Sequence, residues 1–287
     1  MNGTVPLRSA SPARIVATEC IANRRDAMDE EAVRAAAKQL ADAYTSGTPI
    51  APLVRDHPDA DVGDAYRIQR EQLHHWCASG AQVKGHKVGL TSAAMQEQMG
   101  VDQPDHGHLV DSMFHPEHQP IPTDGYLQPR IEPEVAFVLA HPLSGPGVTA
   151  ADAIRAVEFC LPALEIVDSR IRDWNISIVD TIADNASSGG VVLGSRPQPL
   201  SALDLRQAAC TLYSRGEHVA TGLGGAVLGS PVNALVWLAN TVGPLGIELQ
   251  PGQVVLPGSM TRAIPVRPGD TIVADVANLG DVTAIFA

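Results

Sequence analysis

Two glutamates one residue apart head an apolar, β-rich run, Gln128-Pro129-Arg130-Ile131-Glu132-Pro133-Glu134-Val135-Ala136-Phe137-Val138-Leu139. Side chains alternate faces along a strand, so Glu132 and Glu134 point the same way, with Cα atoms roughly 7 Å apart. Leu161-Pro162-Ala163-Leu164-Glu165-Ile166-Val167 sets a third glutamate in a similar apolar run. Carboxylates turned toward a core are costly unless something positive holds them. Three such oxygen donors suit a hard divalent cation with positions left open for a substrate. The competing account is three rim carboxylates paired with Arg130, Arg170 or Arg172.

Lys87 lies in His86-Lys87-Val88-Gly89-Leu90-Thr91-Ser92. A lysine between apolar strand neighbours is either a snorkelling surface residue or, near three carboxylates, a buried counter-charge for an anionic substrate. Gln103-Pro104-Asp105-His106-Gly107-His108 offers an acid and two histidines on what reads as a loop. Asp105 fits a turn residue or a general base beside a metal. His106, His108, His115 and His118 match no zinc spacing and no cysteine joins them, so they read as solvated loop histidines. The Ser187-Ser188-Gly189-Gly190 and Gly222-Leu223-Gly224-Gly225 stretches lack the strand–GxGxxG–helix context of a nucleotide site and read as turns. Ser187 has no GxSxG setting for a nucleophile.

The elements that must position these groups follow from periodicity and caps. Helices are expected over 29–46, closed by Gly47, and over about 61–79, with an extended Pro-rich link over 48–58 between them. A strand over 83–90 precedes a short helix capped by Thr91 or Ser92, with Met95 and Met99 as its core contacts. Residues 102–126 form a long segment of the kind that is usually functional or disordered. The Glu132 strand is followed by a helix from Thr149 with a capping box to Asp152, then the Glu165 strand, a mixed stretch over 168–185 and a strand running to Leu193. A hairpin turns at Arg215-Gly216. Ser230-Pro231 opens a helix running to Gly243, and three short strands end the chain.

The chain has 287 residues, 45% of them hydrophobic, enough for a full core. A net charge of −12 argues against a nucleic-acid partner, and no 18-residue apolar run suggests a membrane span. Cys20, Cys77, Cys160 and Cys210 are widely spaced and form no C-x-x-C pair, as expected of a reducing cytoplasm. Residues 1–27 carry arginines and few acids, weakly transit-peptide-like; a disordered extension ahead of Met28 as the natural start accounts for them better. Length alone suggests about two domains, although one large β-rich domain of this size is common.

In order along the chain stand Lys87-Val88-Gly89-Leu90-Thr91, Gly100-Val101-Asp102-Gln103-Pro104-Asp105, Leu127-Gln128-Pro129-Arg130-Ile131-Glu132, Leu161-Pro162-Ala163-Leu164-Glu165, Ser169-Arg170-Ile171-Arg172-Asp173-Trp174, Asp184-Asn185-Ala186-Ser187 and Asn233-Ala234-Leu235-Val236-Trp237-Leu238-Ala239. Together they resemble the 2-keto-4-pentenoate hydratases of the fumarylacetoacetate hydrolase superfamily, from about Met28 to the C-terminus. The resemblance implies an α+β fold, a mixed β-sheet body with an N-terminal helical section. It implies a magnesium or manganese ion held by Glu132, Glu134 and Glu165, catalytic roles for Lys87 and Asp105, and substrate contacts from Lys87, His106, Asn185 and Ser187. It further implies a cytoplasmic homo-oligomer, able to associate with a partner enzyme of the same pathway. One departure stands out: His106 occupies a position where relatives usually carry Phe or Tyr.

The chemistry fits the residues independently. Three glutamates, two oxygens of a 2-hydroxy-2,4-dienoate and one water would make six ligands, the number magnesium prefers. Such a site is net negative, so a nearby cation is needed, and Lys87 is the best placed. Water addition at C4 would give a 4-hydroxy-2-oxo acid, with Asp105 or a metal-bound water handling the transfers. The competing readings are a 2-oxo-hexenedioate decarboxylase with the same metal site, a carbon–carbon hydrolase, and a non-catalytic partner subunit.

Overall fold

The computed structural model describes residues 28–287; the extension expected over 1–27 lies outside the described residues. Helix α1 (Glu30–Ser46) starts where Asp29 accepts a hydrogen bond from the Ala32 amide and stops at Gly47 in the left-handed region. A short α2 (Leu53–Asp56) interrupts the link expected to be extended, its first amide bonded to the Asp180 carboxylate at 2.6 Å. The capping box of Asp61 and Asp64 opens α3 (Val62–Ala78). These helices bury Val33, Leu40 and Ile68 against Ile171 and Ile182, forming a core of their own.

Strand β1 (Val83–Gly89) leads through α4 (Ala93–Met99) to β2 (Asp105–Val110). Two corrections fall here. The segment read as a loop from Asp102 begins with a strand buried along its whole length. Helix α4 buries nothing: its cap is Ser92, as expected, but Met95 is 43% exposed and Met99 is only partly covered.

Two-residue strands β3 (Phe114–His115) and β4 (Pro120–Ile121) precede the long strand β5 (Arg130–Leu139). Helix α5 (Ala150–Ala156), with its Thr149–Asp152 capping box, runs directly into β6 (Val157–Val167). The mixed stretch after it contains α6 (Ile178–Ala183), capped by Ser177, and then β7 (Ser188–Leu193) follows. Strands β8 (Ala209–Ser214) and β9 (Glu217–Leu223) pair through Arg215 and Gly216, both at positive φ, as a two-residue hairpin loop requires. Helix α7 (Pro231–Val242) is apolar in composition and buries Leu235, Leu238 and Val242 in the main core. Strands β10 (Val254–Leu256), β11 (Ile264–Pro265), β12 (Thr271–Val276) and β13 (Gly280–Phe286) complete the chain.

The larger, mixed sheet runs β2-β1-β10-β5-β6-β7-β3, with β11 also on β5; the smaller runs β4-β13-β12-β8-β9. Alternation along β5 and β6 divides their side chains between two environments. Val135, Phe137, Leu164 and Ile166 join the main core with α7 and the smaller sheet. Ala136 and Ala163 face the other way, packing with Leu109, Val191 and Leu256. The acidic residues emerge on this second face.

Candidate metal centre and active site

Glu132 and Glu165 are direct partners across the antiparallel β5–β6 ladder, and Glu134 sits two residues further along the same face, opposite Ala163. One carboxylate oxygen from each of the three lies within 4.8 Å of the others. Like charges directly opposite in a ladder are destabilising, and here burial adds to the cost. Glu134 Oε1 and Glu165 Oε2 are buried with no hydrogen-bond partner. Burial first, then the neighbouring carboxylates, pushes Glu132 up to about 7 and Glu134 well above its ordinary range. Burial raises Glu165 too, although Lys87 pulls against it.

Glu134 Oε2 accepts the Gly258 amide at 2.7 Å. Only glycine fits there, since φ is 125° and a Cβ would lie 2.1 Å from Thr91 Oγ1. Converging, anionic and partly orphaned oxygens are what a hard divalent cation satisfies. The three glutamates are a group that could hold one such cation. The three arginines named as partners do not hold them: Arg170 pairs with Asp184, the Arg130 guanidinium lies 4.3 Å from the Trp174 ring centroid, and Arg172 reaches the Pro49 carbonyl.

Lys87 is buried, so the snorkelling alternative does not hold. Its ammonium lies 3.4 Å from Glu165 Oε1 and donates to the Ala186 carbonyl at 2.9 Å. Burial alone would depress its pKa, but Glu165, Asp105, Glu132 and Glu134 outweigh that and hold it charged. Asp105 opens β2 on the same face, paired with Gly89 as Lys87 is paired with Gly107. A Cβ on residue 89 would meet Asp105 Oδ1 at 2.2 Å, so Gly89 makes room for the carboxylate. Asp105 Oδ2 has Thr181 Oγ1 at 3.5 Å, while Oδ1 is buried and unpartnered. Burial raises the Asp105 pKa and Lys87 works against it. A buried carboxyl group beside a fixed cation is placed to move protons.

The fumarylacetoacetate (FAA) hydrolase C-terminal family matches residues 84–286. A 2-keto-4-pentenoate hydratase of Paraburkholderia xenovorans (strain LB400) is 45% identical over 251 residues, spanning 88% of this chain and 93% of that protein. The chain belongs to the 2-keto-4-pentenoate hydratase family. A 2-oxo-hept-4-ene-1,7-dioate hydratase of Escherichia coli is 41% identical over 256 residues, 87% of this chain and 96% of that protein. The structure of 4-oxalocrotonate decarboxylase from Pseudomonas putida G7, complexed with magnesium and adipate, superposes with a TM-score of 0.88 at 35% identity, covering 91% of this chain and 99% of that one. The α+β architecture expected from the sequence is the architecture of these folds.

The Asn185–Ser187 turn meets Lys87 through the Ala186 carbonyl, by a device the sequence does not announce. Asn185, Ala186 and Ser187 all adopt φ near +53°, a left-handed turn costing roughly 1–2 kcal/mol per residue. Asn185 anchors it to β2, its amide donating to the His108 carbonyl at 2.9 Å and its Oδ1 accepting the His108 amide at 2.8 Å. Asp184, paired with buried Arg170, fixes the entry to the turn. The turn aims the Ala186 carbonyl at Lys87 and leaves Ser187 Oγ buried without a partner. A second clamp carries no local sequence signal: Asp168 accepts the Leu127 and Gln128 amides, and the Gln128 side chain donates to the Ser169 and Ile171 carbonyls. Together they fix the head of β5.

His106 turns to the face opposite Asp105 and stacks on Tyr66 at 4.6 Å between centroids. His106 and His108 are buried strand residues, not solvated loop residues. Burial, followed for His106 by the nearby His108, lowers them to about 3 and about 4, so both are neutral at physiological pH.

Proposed function

We propose that this hydratase adds water to 2-hydroxypenta-2,4-dienoate or a close analogue, giving a 4-hydroxy-2-oxo acid during meta-cleavage breakdown of aromatic compounds. The observation that carries the reading is the convergence of Glu132, Glu134, Glu165, Lys87 and Asp105 on one face of the larger sheet. Glu132, Glu134 and Glu165 would hold magnesium or manganese. When bound, the ion supplies Lewis acidity to the carboxylate and 2-oxygen end of the substrate. Lys87 offsets the charge of the anionic head and favours the enolate form of the diene. Asp105 delivers a proton to C5 as the 2-hydroxyl proton is lost, giving the 2-oxo-3-enoate. Water then adds its oxygen at C4 and its proton at C3. The Asn185–Ser187 turn keeps Lys87 in register and offers the Ser187 hydroxyl to the substrate. Residues 28–287 act as one catalytic domain of a cytoplasmic homo-oligomer, with association to a partner enzyme of the pathway open to it.

Decarboxylation of a 2-oxo-hexenedioate is the second reading, supported by the likeness to the magnesium-bound decarboxylase. Purified protein mixed with freshly made dienoate, with magnesium or with a chelator, tests the assignment. Metal-dependent loss of the diene with a 4-hydroxy-2-oxo acid as product supports it. No turnover of the dienoate, with carbon dioxide released from the hexenedioate, moves the assignment to the decarboxylase.

A further inference from the structure

Strand β2 ends the larger sheet, so one side of its backbone has no neighbouring strand among the described residues. Buried edge amides and carbonyls still need partners, and here side-chain amides supply them. Asn185 takes both backbone groups of His108. Gln69, buried on α3, donates to the His106 carbonyl at 2.8 Å and to the Ile182 carbonyl at 3.1 Å. One amide nitrogen thus ties β2 to α6. The residues it grips are the chain neighbours of Asp105 and Thr181, whose side chains meet at 3.5 Å. Helix α6 is pinned again on either side of Thr181. The Asp180 carboxylate accepts the Leu53 amide, and Gln72 donates to the Ala183 carbonyl.

The two oxygens of the Asp105 carboxyl have unlike surroundings. Oδ2 meets the buried Thr181 hydroxyl. Oδ1 points toward position 89, where an added Cβ would lie 2.2 Å from it and 3.4 Å from the Lys87 ammonium. That oxygen therefore faces the space beside Lys87. Rotation of an aspartate carboxyl about its terminal torsion is broad and roughly two-fold, so the strand alone does not choose which oxygen faces which way. A contact of 3.5 Å is at the long end for a hydrogen bond, and its length follows the spacing of the two backbones. Gln69 sets that spacing.

We propose that Thr181 is a positioning residue for Asp105, fixing the plane of its carboxyl so that Oδ1 exchanges protons with the substrate, and that Gln69 acts through it by spacing β2 from α6. The inference rests on the hydratase reading, which gives Asp105 the proton transfers. Both residues then govern the rate of proton transfer and leave the hold on metal and acid head untouched.

Steady-state kinetics on the magnesium-loaded full chain, with oxalate affinity measured beside them, test this. Thr181→Val keeps the branched shape and removes the hydroxyl. Its kcat for the dienoate should fall about 2–10-fold, the contribution of one hydrogen bond, while KM and oxalate affinity hold. Thr181→Ser, which keeps the hydroxyl, should recover most of that loss. In the Asp105→Asn background, Thr181→Val should cost nothing further, because a residue that acts through Asp105 has no proton-transferring group left to position. Gln69→Met, of similar length but without donors, should lower kcat in the same way and should not multiply with Thr181→Val. The positioning role is overturned by a Thr181→Val variant at the wild-type kcat, or by one that loses oxalate affinity in step with kcat. Losses that multiply with those of Asp105→Asn, or between Gln69→Met and Thr181→Val, overturn it equally, and in each case the reading of Asp105 stands. Wild-type turnover by Asp105→Asn itself overturns that reading and the inference with it.

Discussion

Glu132 and Glu165 face each other across the β5–β6 ladder, and the ammonium of Lys87 stands 3.4 Å from Glu165. A pair of carboxylates in that position weakens the metal-free protein and strengthens its hold on a cation. Glu165→Gln should therefore leave the metal-free melting temperature unchanged or higher, while magnesium affinity falls by at least about 10–100-fold, the loss that even outer contacts to a metal produce. Thermal melts with and without magnesium check both halves. A lower metal-free melting temperature together with an unchanged magnesium-induced rise would contradict the assignment.

The pH dependence follows from the same three groups. Glu132, Glu134 and Glu165 are all raised above the usual 4.5 in the folded state. The folded metal-free chain therefore keeps protons that the unfolded chain releases. That contribution is complete below about 4.5 and is lost as pH rises, through about 7 for Glu132. Metal binding must displace those protons. Magnesium affinity is thus expected to climb between about pH 5 and pH 7.5, with proton release measurable by calorimetry in buffers of different ionisation enthalpy. A flat affinity over that range would count against buried, protonated ligands.

Lys87→Met keeps the length and most of the volume of the side chain while removing its charge. Oxalate affinity in the magnesium form should fall by roughly 10–100-fold, the worth of a charged hydrogen bond of about 1.5–3 kcal/mol. Circular dichroism should show the fold retained. Unchanged oxalate affinity would remove Lys87 from the substrate site.

The left-handed turn offers a test in the opposite direction. Ala186 sits at φ 52°, where glycine carries no Cβ penalty. Ala186→Gly should be neutral or stabilising by up to about 1 kcal/mol. Asn185→Ala, which removes two hydrogen bonds to His108, should cost about 2 kcal/mol in stability and lower kcat more than it raises KM. Denaturant melts and steady-state kinetics distinguish these outcomes. A destabilised Ala186→Gly would mean that the turn is not strained.

The sequence carries this site unevenly, for physical reasons. The strand period of two places Glu132 and Glu134 together, and their apolar surroundings mark them as buried. That Glu165 lies directly opposite Glu132 depends on the β5–β6 register, which no local pattern records. Lys87 is ambiguous by itself, because whether such a lysine surfaces or stays depends on carboxylates far away in the chain. The β2 strand is hidden by its composition: Asp105, His106, Gly107 and His108 are poor strand formers locally, held in place by β1, Gln69 and Asn185. Met95 and Met99 have the right spacing for a core, but none of the residues of their helix is buried. The Asn185–Ser187 turn contains no glycine to betray its positive φ values.

Asp105 is the group assigned to proton movement, so Asp105→Asn should slow dienoate turnover by roughly 10²-fold or more while magnesium binding persists. Stopped-flow decay of the dienoate, beside magnesium titration of the same variant, separates catalysis from metal loading. A variant that turns over at the wild-type rate would move the proton transfers elsewhere.

The most direct measurement is the fate of solvent oxygen. With magnesium-loaded protein and 2-hydroxypenta-2,4-dienoate in ¹⁸O-labelled water, mass spectrometry should find 4-hydroxy-2-oxopentanoate carrying label at C4, and none should form once the metal is chelated. Turnover without label at C4, or preferential release of carbon dioxide from a 2-oxo-hexenedioate, would contradict the account.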